Sequence, residues 1–236
     1  MGMQMGWAIA LAGVLVPCLA AEGWAQEWTR SDGGMGGGYG TARVGRETSL
    51  RFSIGTAFFI QGAVSEDATN PPDYSDAFGP AFGAFVELDS RLSREFSVHG
   101  GVGYVQHQGD TTQGIDFDAW SLMPFFVGAK FHPTVGASAD TDVYFRLDVG
   151  GAQSQPVDIS QTIPFFGTIK ADFYESDTLF LFGAGVGIAF RPQGSRIRIF
   201  GEIGYRGLTG PGVKNSGDRG ELSGAITIEA GVAFLV

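Results

Sequence analysis

The chain has 236 residues, which is enough for one domain or two small ones. It combines 38 glycines with 44% hydrophobic and only 17% charged residues, which suits neither a soluble α/β enzyme nor a polytopic helical membrane protein. The formal net charge of −10 and the lack of an Arg/Lys cluster argue against a nucleic-acid partner, because phosphate binding needs a basic surface.

Residues 1–25 have the features of a secretory signal peptide. An uncharged apolar run, residues 7–21, precedes a small-x-small cleavage site at residues 23–25. The first six residues carry no Lys or Arg, unlike most signals, and a retained membrane anchor is the alternative. The only cysteine, Cys18, lies in this segment, so we expect no disulfide and no thiolate metal site in the mature chain.

The remaining chain divides into a Gly-rich segment and a long region of alternating residues. Residues 26–48 are predicted to be a flexible N-terminal segment. From residue 49 onward, apolar residues recur at every second position, the period of a β-strand. Eight strands are predicted, at residues 49–61, 80–90, 95–105, 121–132, 142–150, 178–190, 196–207 and from about 222 to the C-terminus.

The connections between these strands alternate between short and long. The short ones are residues 90–95, 133–141 and 192–195, and the long ones are residues 64–79, 106–117, 151–177 and 208–221. Outer-membrane barrels have this arrangement, with short periplasmic turns and long external loops. The fold class is therefore predicted to be all-β, an eight-stranded antiparallel up-and-down transmembrane β-barrel at residues 49–236, with both termini in the periplasm.

Every predicted strand has one face of large apolar residues and an opposite face that carries the charges. A charge on the lipid face costs roughly 2–4 kcal/mol at the bilayer midplane, so the charged face is predicted to line the lumen. The main alternative is a soluble sandwich or lipocalin-type barrel, which would place the apolar face inside. An eight-stranded interior does not easily hold so many large side chains.

The lumen-facing positions contain five acids and five bases, which are predicted to form a buried ion-pair network that plugs the barrel. These residues are Arg51, Glu87, Asp89, Lys130, Arg146, Asp148, Arg198, Glu202, Arg206 and Glu229. Glu229 lies on the last strand, which neighbours the first and seventh strands, so its candidate partners are Arg51, Arg198 and Arg206. A conduction gate is the alternative role for this network.

Two segments resemble the small outer-membrane β-barrel family, which includes the OmpA transmembrane domain and OmpX-like, porin-family barrels. ELDSRLSREFSVHGGVGY, residues 87–104, resembles its strand, tight polar turn and Gly-alternating strand, and residues 121–133 and 142–152 resemble the next pair. The resemblance implies an outer-membrane protein of a Gram-negative-type envelope, as a small porin, adhesin or envelope-stabilising protein. It also implies outer-membrane lipid, lipopolysaccharide and the barrel assembly machinery as partners. The C-terminal Val236 departs from the terminal aromatic residue usual in the family.

A lipid-modifying enzyme would need a His and a Ser, with an acid, near the external surface. His99 is predicted to face the lumen and His132 to lie beside a short turn. His107, at the start of a long loop, is the one position suited to such chemistry, but no His-x-Ser accompanies it. We therefore expect a solvated loop histidine, no enzymatic activity, no cofactor and no metal site.

The expected function is a structural or small porin-like role in the envelope, with a polar and largely plugged lumen. A transporter of small hydrophobic molecules is the first alternative, and a lipid A-modifying enzyme is a remote one. The acidic long loops are expected to be solvated, with sharing of divalent cations between their carboxylates and lipopolysaccharide as the alternative. Tyr104, Trp120 and Tyr205 are assigned to aromatic girdles at the membrane interfaces. The oligomeric state is left open.

Overall fold

The structure, a computed structural model, describes residues 47–65, 70–133, 140–214 and 217–236. The predicted signal peptide, residues 1–25, lies outside the described residues, as does all of the predicted Gly-rich segment before residue 47. Within the described ranges, no helix has both the length and the apolar character needed to cross a membrane.

The alternation of apolar with polar or small residues produces β-strands along most of the described chain. The strands are β1 (Thr48–Gln61), β2 (Phe78–Arg91), β3 (Phe96–Gly109), β4 (Thr111–Thr112), β5 (Ile115–Phe117), β6 (Trp120–Phe131), β7 (Thr141–Ser154), β8 (Val157–Ile163), β9 (Gly167–Tyr174), β10 (Asp177–Phe190), β11 (Ile197–Leu208) and β12 (Ser223–Leu235). A short helix, α1 (Tyr74–Ala77), precedes β2.

The eight long strands close into an antiparallel barrel in the order β1, β12, β11, β10, β7, β6, β3, β2. Each barrel strand therefore pairs with the barrel strands before and after it along the chain, and β1 closes on β12. The predicted eight-stranded antiparallel up-and-down barrel is confirmed. The predicted strands coincide with the barrel strands, although β3 and β7 each run four residues beyond their predicted ends, to Gly109 and Ser154.

Closure leaves the barrel without an open edge. On one side β1 pairs with β2, with Thr48 opposite Ser90, and on the other side it pairs with β12, with Ser49 opposite Leu235. The backbone N–H and C=O groups of a closed barrel find their partners between strands. This pairing is the condition for a β-structure to cross a lipid bilayer.

The outer surface of the barrel is apolar, because the large hydrophobic side chains point outward from every barrel strand. Ile54 on β1 is 71% exposed, Phe82 on β2 is 63% exposed and Leu147 on β7 is 64% exposed. A soluble sandwich or lipocalin-type barrel would bury these residues, so the structure contradicts that alternative. The outward phase of all eight strands is the one expected from the sequence pattern.

A second sheet lies outside the barrel and is formed by two of the long connections. Its strand order is β4, β5, β8, β9, and its last hairpin ends in the fully exposed side chains of Phe165 and Phe166. The sequence interpretation treated these connections as loops, which is wrong for β8 and β9. Both strands are largely exposed on their two faces, so they lack the one-sided apolar pattern that marks the barrel strands.

Candidate functional site: the layered lumen

Side chains that point into the barrel divide the lumen into layers of different chemistry. The vestibule lies at the end with the short connections and is lined by Glu47, Ser49, Ser97, His132, Asp142 and Arg198. The ionic plug lies above it and consists of Arg51, Glu87, Asp89, His99, Lys130, Tyr144, Arg146, Asp148 and Glu202. The aromatic cap closes the end with the long connections and consists of Phe59, Tyr74, Phe78, His107, Trp120 and Tyr174.

Arg146 and Arg51 form the centre of the ionic plug. The Arg146 Nη1 donates to Glu87 Oε1 at 2.9 Å and to Glu202 Oε2 at 2.8 Å, so one guanidinium joins acids from two strands. Arg51 pairs with Glu87 at 3.5 Å and also with Glu202. The Tyr144 hydroxyl accepts from Arg51 at 3.0 Å and donates to Glu202 at 2.5 Å. These contacts run across the lumen and pair both bases with both acids, whereas the buried Arg146 Nη2 has no hydrogen-bond partner among the described residues.

The remaining plug residues complete the pairing at its sides. Lys130 Nζ lies 2.6 Å from Asp89 Oδ2 and 3.7 Å from Glu87. Asp148 accepts from Arg146 Nε at 2.7 Å and lies 2.6 Å from His99 Nε2. His99 was expected to face the lumen, and the structure places it there as a partner of this acid. No acid of the plug is left without a cation or a ring N–H.

Glu229 lies above the plug and is paired with Arg206. The Arg206 Nη2 is 2.6 Å from Glu229 Oε1, and Ser53 Oγ donates to the same carboxylate at 3.3 Å. The Arg206 guanidinium also lies 4.6 Å from the centroid of the Phe85 ring, a cation–π contact that compensates for its burial. Of the candidate partners considered for Glu229, Arg206 is therefore the one that the structure brings to it.

The structure thus divides the ten residues assigned to the lumen into three groups. Arg51, Glu87, Asp89, Lys130, Arg146, Asp148 and Glu202 form the connected plug, and Arg206 and Glu229 form a separate pair. Arg198 lies lower, on the wall of the vestibule, where it pairs with Glu47. Sequence reasoning missed Glu47 and Tyr144, because Glu47 falls before the first predicted strand and Tyr144 carries no charge.

Glycines on the inner wall make room for the buried acids. A Cβ on Gly101 would lie 2.7 Å from Glu87 Cγ, and a Cβ on Gly55 would lie 2.7 Å from Glu229 Cγ. On Gly128 it would lie 2.7 Å from Asp148 Oδ1. These contacts are too close for any side chain. The high glycine content therefore has a packing reason in the plugged lumen.

The aromatic cap is a stack of rings that fills the upper mouth of the barrel. Trp120 lies at its centre, with ring centroids 5.6 Å from Tyr74 and 5.9 Å from Tyr174, and its Nε1 donates to Ser154 Oγ at 2.8 Å. Tyr174 comes from the outer sheet and donates its hydroxyl to the Val64 carbonyl at 2.6 Å. Burial beside the Tyr74 hydroxyl raises the pKa of Tyr174 well above its usual range, so its phenol keeps the proton that it donates.

Two sequence expectations about the upper end are wrong. His107 is not a solvated loop residue: it belongs to β3, is buried, and stacks on Phe59 with ring centroids 4.3 Å apart. Trp120 does not belong to an interface girdle, because it is fully buried in the cap. Tyr104, by contrast, is exposed on the outer surface near the upper end of β3. The length of β3 explains the error at His107, since its extension carries that residue into the cap. Trp120 begins β6 and lies opposite His107 in the register, so it too occupies an inward position of the cap.

A small apolar cavity separates the aromatic cap from the Arg206–Glu229 pair. Its volume is about 50 Å³, and its wall includes Phe85, Leu122 and Leu181. From the sequence, the inward face is expected to carry charged and small residues throughout. The upper third of the lumen is instead hydrophobic, so the two chemistries are stacked along the barrel axis.

The vestibule contains a chain of hydrogen bonds that sequence reasoning did not find. Ser97 Oγ lies 3.0 Å from His132 Nε2, and the His132 Nδ1 lies 2.9 Å from Asp142 Oδ2. Arg91 Nη1 pairs with the same Asp142 oxygen at 3.2 Å. The three strands that supply Ser97, His132 and Asp142 are adjacent in the barrel, but no sequence spacing relates their ends. Among the residues that the structure describes, no group of His, Cys, Asp and Glu has the arrangement of a metal site.

No protein-family model matches the chain, and no curated protein is found as a relative. Among solved structures, the barrel is similar to Neisserial surface protein A, at 12% identity over 80% of this chain and 98% of that chain, with a TM-score of 0.46. It is similar to Ail, the attachment invasion locus protein of Yersinia pestis, at 12% identity, 80% and 98% coverage and a TM-score of 0.44. It is also similar to the outer membrane protease OmpT from Escherichia coli, at 9% identity, 81% and 96% coverage and a TM-score of 0.47.

The closed eight-stranded antiparallel barrel and its apolar outer surface are established by the strand pairing and the exposure of this chain's own residues. At these identities and TM-scores the similarity concerns the fold alone. What the lumen does must therefore follow from the residues of this chain.

Proposed function

We propose that the chain is an outer-membrane protein with a structural role in the envelope, and that its lumen is closed to solutes. The observation that carries this proposal is the ionic plug, because its charged groups are paired with each other across the lumen rather than exposed to water. Glu87, Lys130 and Arg146 are all buried. A conducting pore would need charged rings that face an aqueous path.

The apolar outer surface supports the membrane location. Outward-facing Phe, Ile, Leu and Val occupy every barrel strand, and a water-soluble protein rarely exposes a continuous apolar surface of this kind. Strands of 12 to 14 residues are long enough to cross the bilayer at a tilt. Periplasmic termini, a cleaved signal peptide, contact with lipopolysaccharide and insertion by the barrel assembly machinery belong to this proposal.

Extraction of the chain without residues 1–25 tests the membrane location. We expect it to require detergent or lipid and to migrate on a gel at different positions before and after boiling, because a closed barrel resists unfolding by detergent. A chain that stays monomeric and soluble in buffer without detergent would contradict the proposal.

Recording from planar lipid bilayers tests the closed lumen. The native chain is expected to give no discrete conductance steps, because the ionic plug and the aromatic cap both lie across the path. The control is a triple variant with Glu87→Ala, Arg146→Ala and Tyr174→Ala, which removes atoms from both the plug and the cap. It is expected to give conductance steps, which would show that the recording can detect an open lumen. Regular steps from the native protein would favour the porin-like role over the closed one.

A second candidate function is the transport of small hydrophobic molecules, which the apolar cavity favours. Uptake of a small aromatic compound by cells with and without the chain tests it. Ala225→Leu provides the matched control, because Ala225 lines the cavity and a larger side chain there would fill it. Uptake that depends on the chain and is lost in Ala225→Leu would favour transport.

The lipid A-modifying role has less support from the structure than from the sequence, because His107, the histidine expected at the external surface, is buried in the cap. Mass spectrometry of lipid A from cells with and without the chain tests it directly, with no difference expected. That measurement addresses lipid A alone, so the expectation that the chain is not an enzyme is not confirmed, and chemistry elsewhere in the lumen needs its own test.

A further inference from the structure

The Ser97–His132–Asp142 chain in the vestibule has the connectivity of a nucleophile, a base and an orienting acid. Ser97 lies on β3, one residue into the strand, His132 directly follows β6, and Asp142 is the second residue of β7. The Oγ···Nε2 distance is 3.0 Å and the Nδ1···Oδ2 distance is 2.9 Å. Both lie in the range over which a base can take a proton from a hydroxyl and an acid can hold the base in position.

The hydrogen-bond partners determine which nitrogen of neutral His132 carries the proton. An ionised Asp142 can only accept, so Nδ1 must be the protonated nitrogen. Nε2 then has its lone pair directed at the Ser97 hydroxyl, which must donate to it. This arrangement prepares His132 to remove the Ser97 proton. The pairing of Asp142 with Arg91 favours the ionised form of the acid that the arrangement requires.

Other polar groups in the lumen do not show this combination. His99 also contacts an acid, Asp148, but does so through Nε2, and its buried Nδ1 has no hydrogen-bond partner among the described residues. Ser49 lines the same cavity as Ser97 but makes no hydrogen bond to a histidine in the described part of the chain. Of these two serines, Ser97 is therefore the one that contacts a histidine.

We propose that Ser97 is the nucleophile of an acyl-transfer site that acts on small carboxylic esters entering the vestibule. The cavity has a volume of about 30 Å³, and Ser97, His132 and Asp142 all line it. Ser97 is only 1% exposed, so the ester must enter the cavity to reach it. A cavity this small excludes a long acyl chain, so the proposal is restricted to the smallest acyl groups, such as acetyl. The location of this site on the periplasmic side rests on the proposed orientation of the barrel, but the chemistry of the site does not.

The proposed reaction has two steps. Ser97 Oγ forms a bond to the carbonyl carbon of the ester while its proton passes to His132 Nε2, and the bond to the alcohol breaks as that proton passes on to the alcohol oxygen. Water then attacks the acyl-serine and gives its proton to His132, and the acid leaves as Ser97 recovers its hydrogen. Lys130, which also pairs with Asp89, lies directly opposite Ser97 in the strand register and lines the same cavity, so the proposal assigns its ammonium to the oxyanion.

The test uses the refolded chain without residues 1–25 in detergent, with p-nitrophenyl acetate as the probe. We expect release of p-nitrophenol above the rate of folded Ser97→Ala, and an acetyl group on Ser97 in peptide mass spectrometry after an acid quench. The octanoate ester should react at least tenfold more slowly, because its acyl chain does not fit the cavity.

Matched variants separate catalysis from structure. Ser160→Ala changes a serine of β8 in the outer sheet, away from the vestibule, and should keep the native rate. His132→Asn should lower the rate by about 100-fold, the usual contribution of a general base. Asp142 acts as a positioning residue, so Asp142→Asn should lower the rate at least tenfold and change its pH profile, because the amide can donate to Nδ1 and favour the other tautomer.

A boiling-dependent gel shift establishes that each variant is folded before its rate is compared. The proposal would be overturned if the folded native chain released p-nitrophenol no faster than folded Ser97→Ala. It would also be overturned if the acetyl group appeared on another residue with Ser97 unmodified. Neither result would bear on the closed, membrane-spanning barrel, which the bilayer recordings test separately.

Discussion

At the scale of single residues, Glu229 illustrates how the lumen tolerates so many acids. It lies directly opposite Glu202 in the register of β11 and β12, where two like charges would repel each other. Their side chains take different partners: Glu229 pairs with Arg206, while Glu202 pairs with Arg146 lower in the lumen. Each acid is therefore compensated by a base of its own layer.

The Arg206–Glu229 pair gives the first prediction. Arg206→Met should lower the free energy of unfolding by about 3–5 kcal/mol, because it leaves a buried carboxylate without its base. Combining Arg206→Met with Glu229→Leu should recover most of that loss, since an apolar pair of similar volume is often neutral. Urea unfolding in lipid vesicles measures both changes. A single variant as stable as the native chain would show that the pair carries little energy.

Gly128 gives a second prediction at this scale. A Cβ there would lie 2.1 Å from the Leu147 carbonyl oxygen, whereas a Cβ on Gly201 would have its nearest neighbour at 3.9 Å. Gly128→Ala should therefore lower the free energy of unfolding by about 1–3 kcal/mol, the usual cost of overpacking. Gly201→Ala is the control and should stay close to the native value in the same urea titration. Equal effects would contradict the packing role of the inner-wall glycines.

At the scale of elements, the aromatic cap links the outer sheet to the barrel. Tyr174 ends β9 and packs against Trp120, which begins β6. The β8–β9 hairpin tip with Phe165 and Phe166, in contrast, is exposed. The end of the hairpin nearest the barrel therefore contributes to closure, while its tip does not.

Fluorescence of Trp120 tests this division. The chain has four tryptophans, three of them at or before residue 28, so a Trp28→Phe chain without residues 1–25 retains Trp120 alone. Tyr174→Ala should increase quenching of Trp120 by acrylamide about twofold or more, because it removes a ring that covers the indole. Replacement of residues 164–166 by Asn-Gly should leave quenching unchanged. Equal quenching in the native chain and in Tyr174→Ala would show that Tyr174 does not seal the cap.

The barrel strands could be predicted from sequence because lipid on one side and the lumen on the other impose opposite chemistries on alternate residues. That constraint fixes the phase of β1 and β12, including the inward direction of Glu229. It does not act on most of β8 and β9, whose residues are largely exposed except at the ends nearest the barrel, and so these strands were missed. It also does not fix where a strand ends, and so His107 was placed in a loop although β3 continues through it.

At the scale of the whole molecule, the orientation of the barrel gives a fourth prediction. Phe165 lies at the tip of the outer sheet, and Arg94 lies in the exposed turn between β2 and β3, at the opposite end of the barrel. Phe165→Cys and Arg94→Cys each place one cysteine at these positions. A maleimide that cannot cross the outer membrane should label Phe165→Cys in intact cells, and label Arg94→Cys only after the membrane is permeabilised. The reverse pattern would invert the proposed topology. The native chain is the control, because its only cysteine lies in the predicted signal peptide.

Closure of the whole barrel decides contacts in the lumen that the sequence pattern does not specify. Alternation shows that Arg51 and Glu202 point inward, but their pairing depends on how far β1 and β11 are displaced along the axis as the barrel closes. The Ser97–His132–Asp142 chain is harder still to foresee. Its members lie at the ends of three strands, where a displacement of two residues would separate them.

The contact between Arg51 and Tyr144 has a mechanical consequence. In the closed order of strands, β1 and β7 stand four places apart in a ring of eight. The two side chains joined by this 3.0 Å hydrogen bond therefore span the full width of the barrel between them. The Arg146–Glu87 and Arg51–Glu202 pairs connect other strands at the same height. Flattening of the circular cross-section would stretch some of these braces and compress others. The barrel should therefore resist lateral pressure in a crowded bilayer. A barrel with the same strands but without side-chain contacts across its lumen would deform more easily.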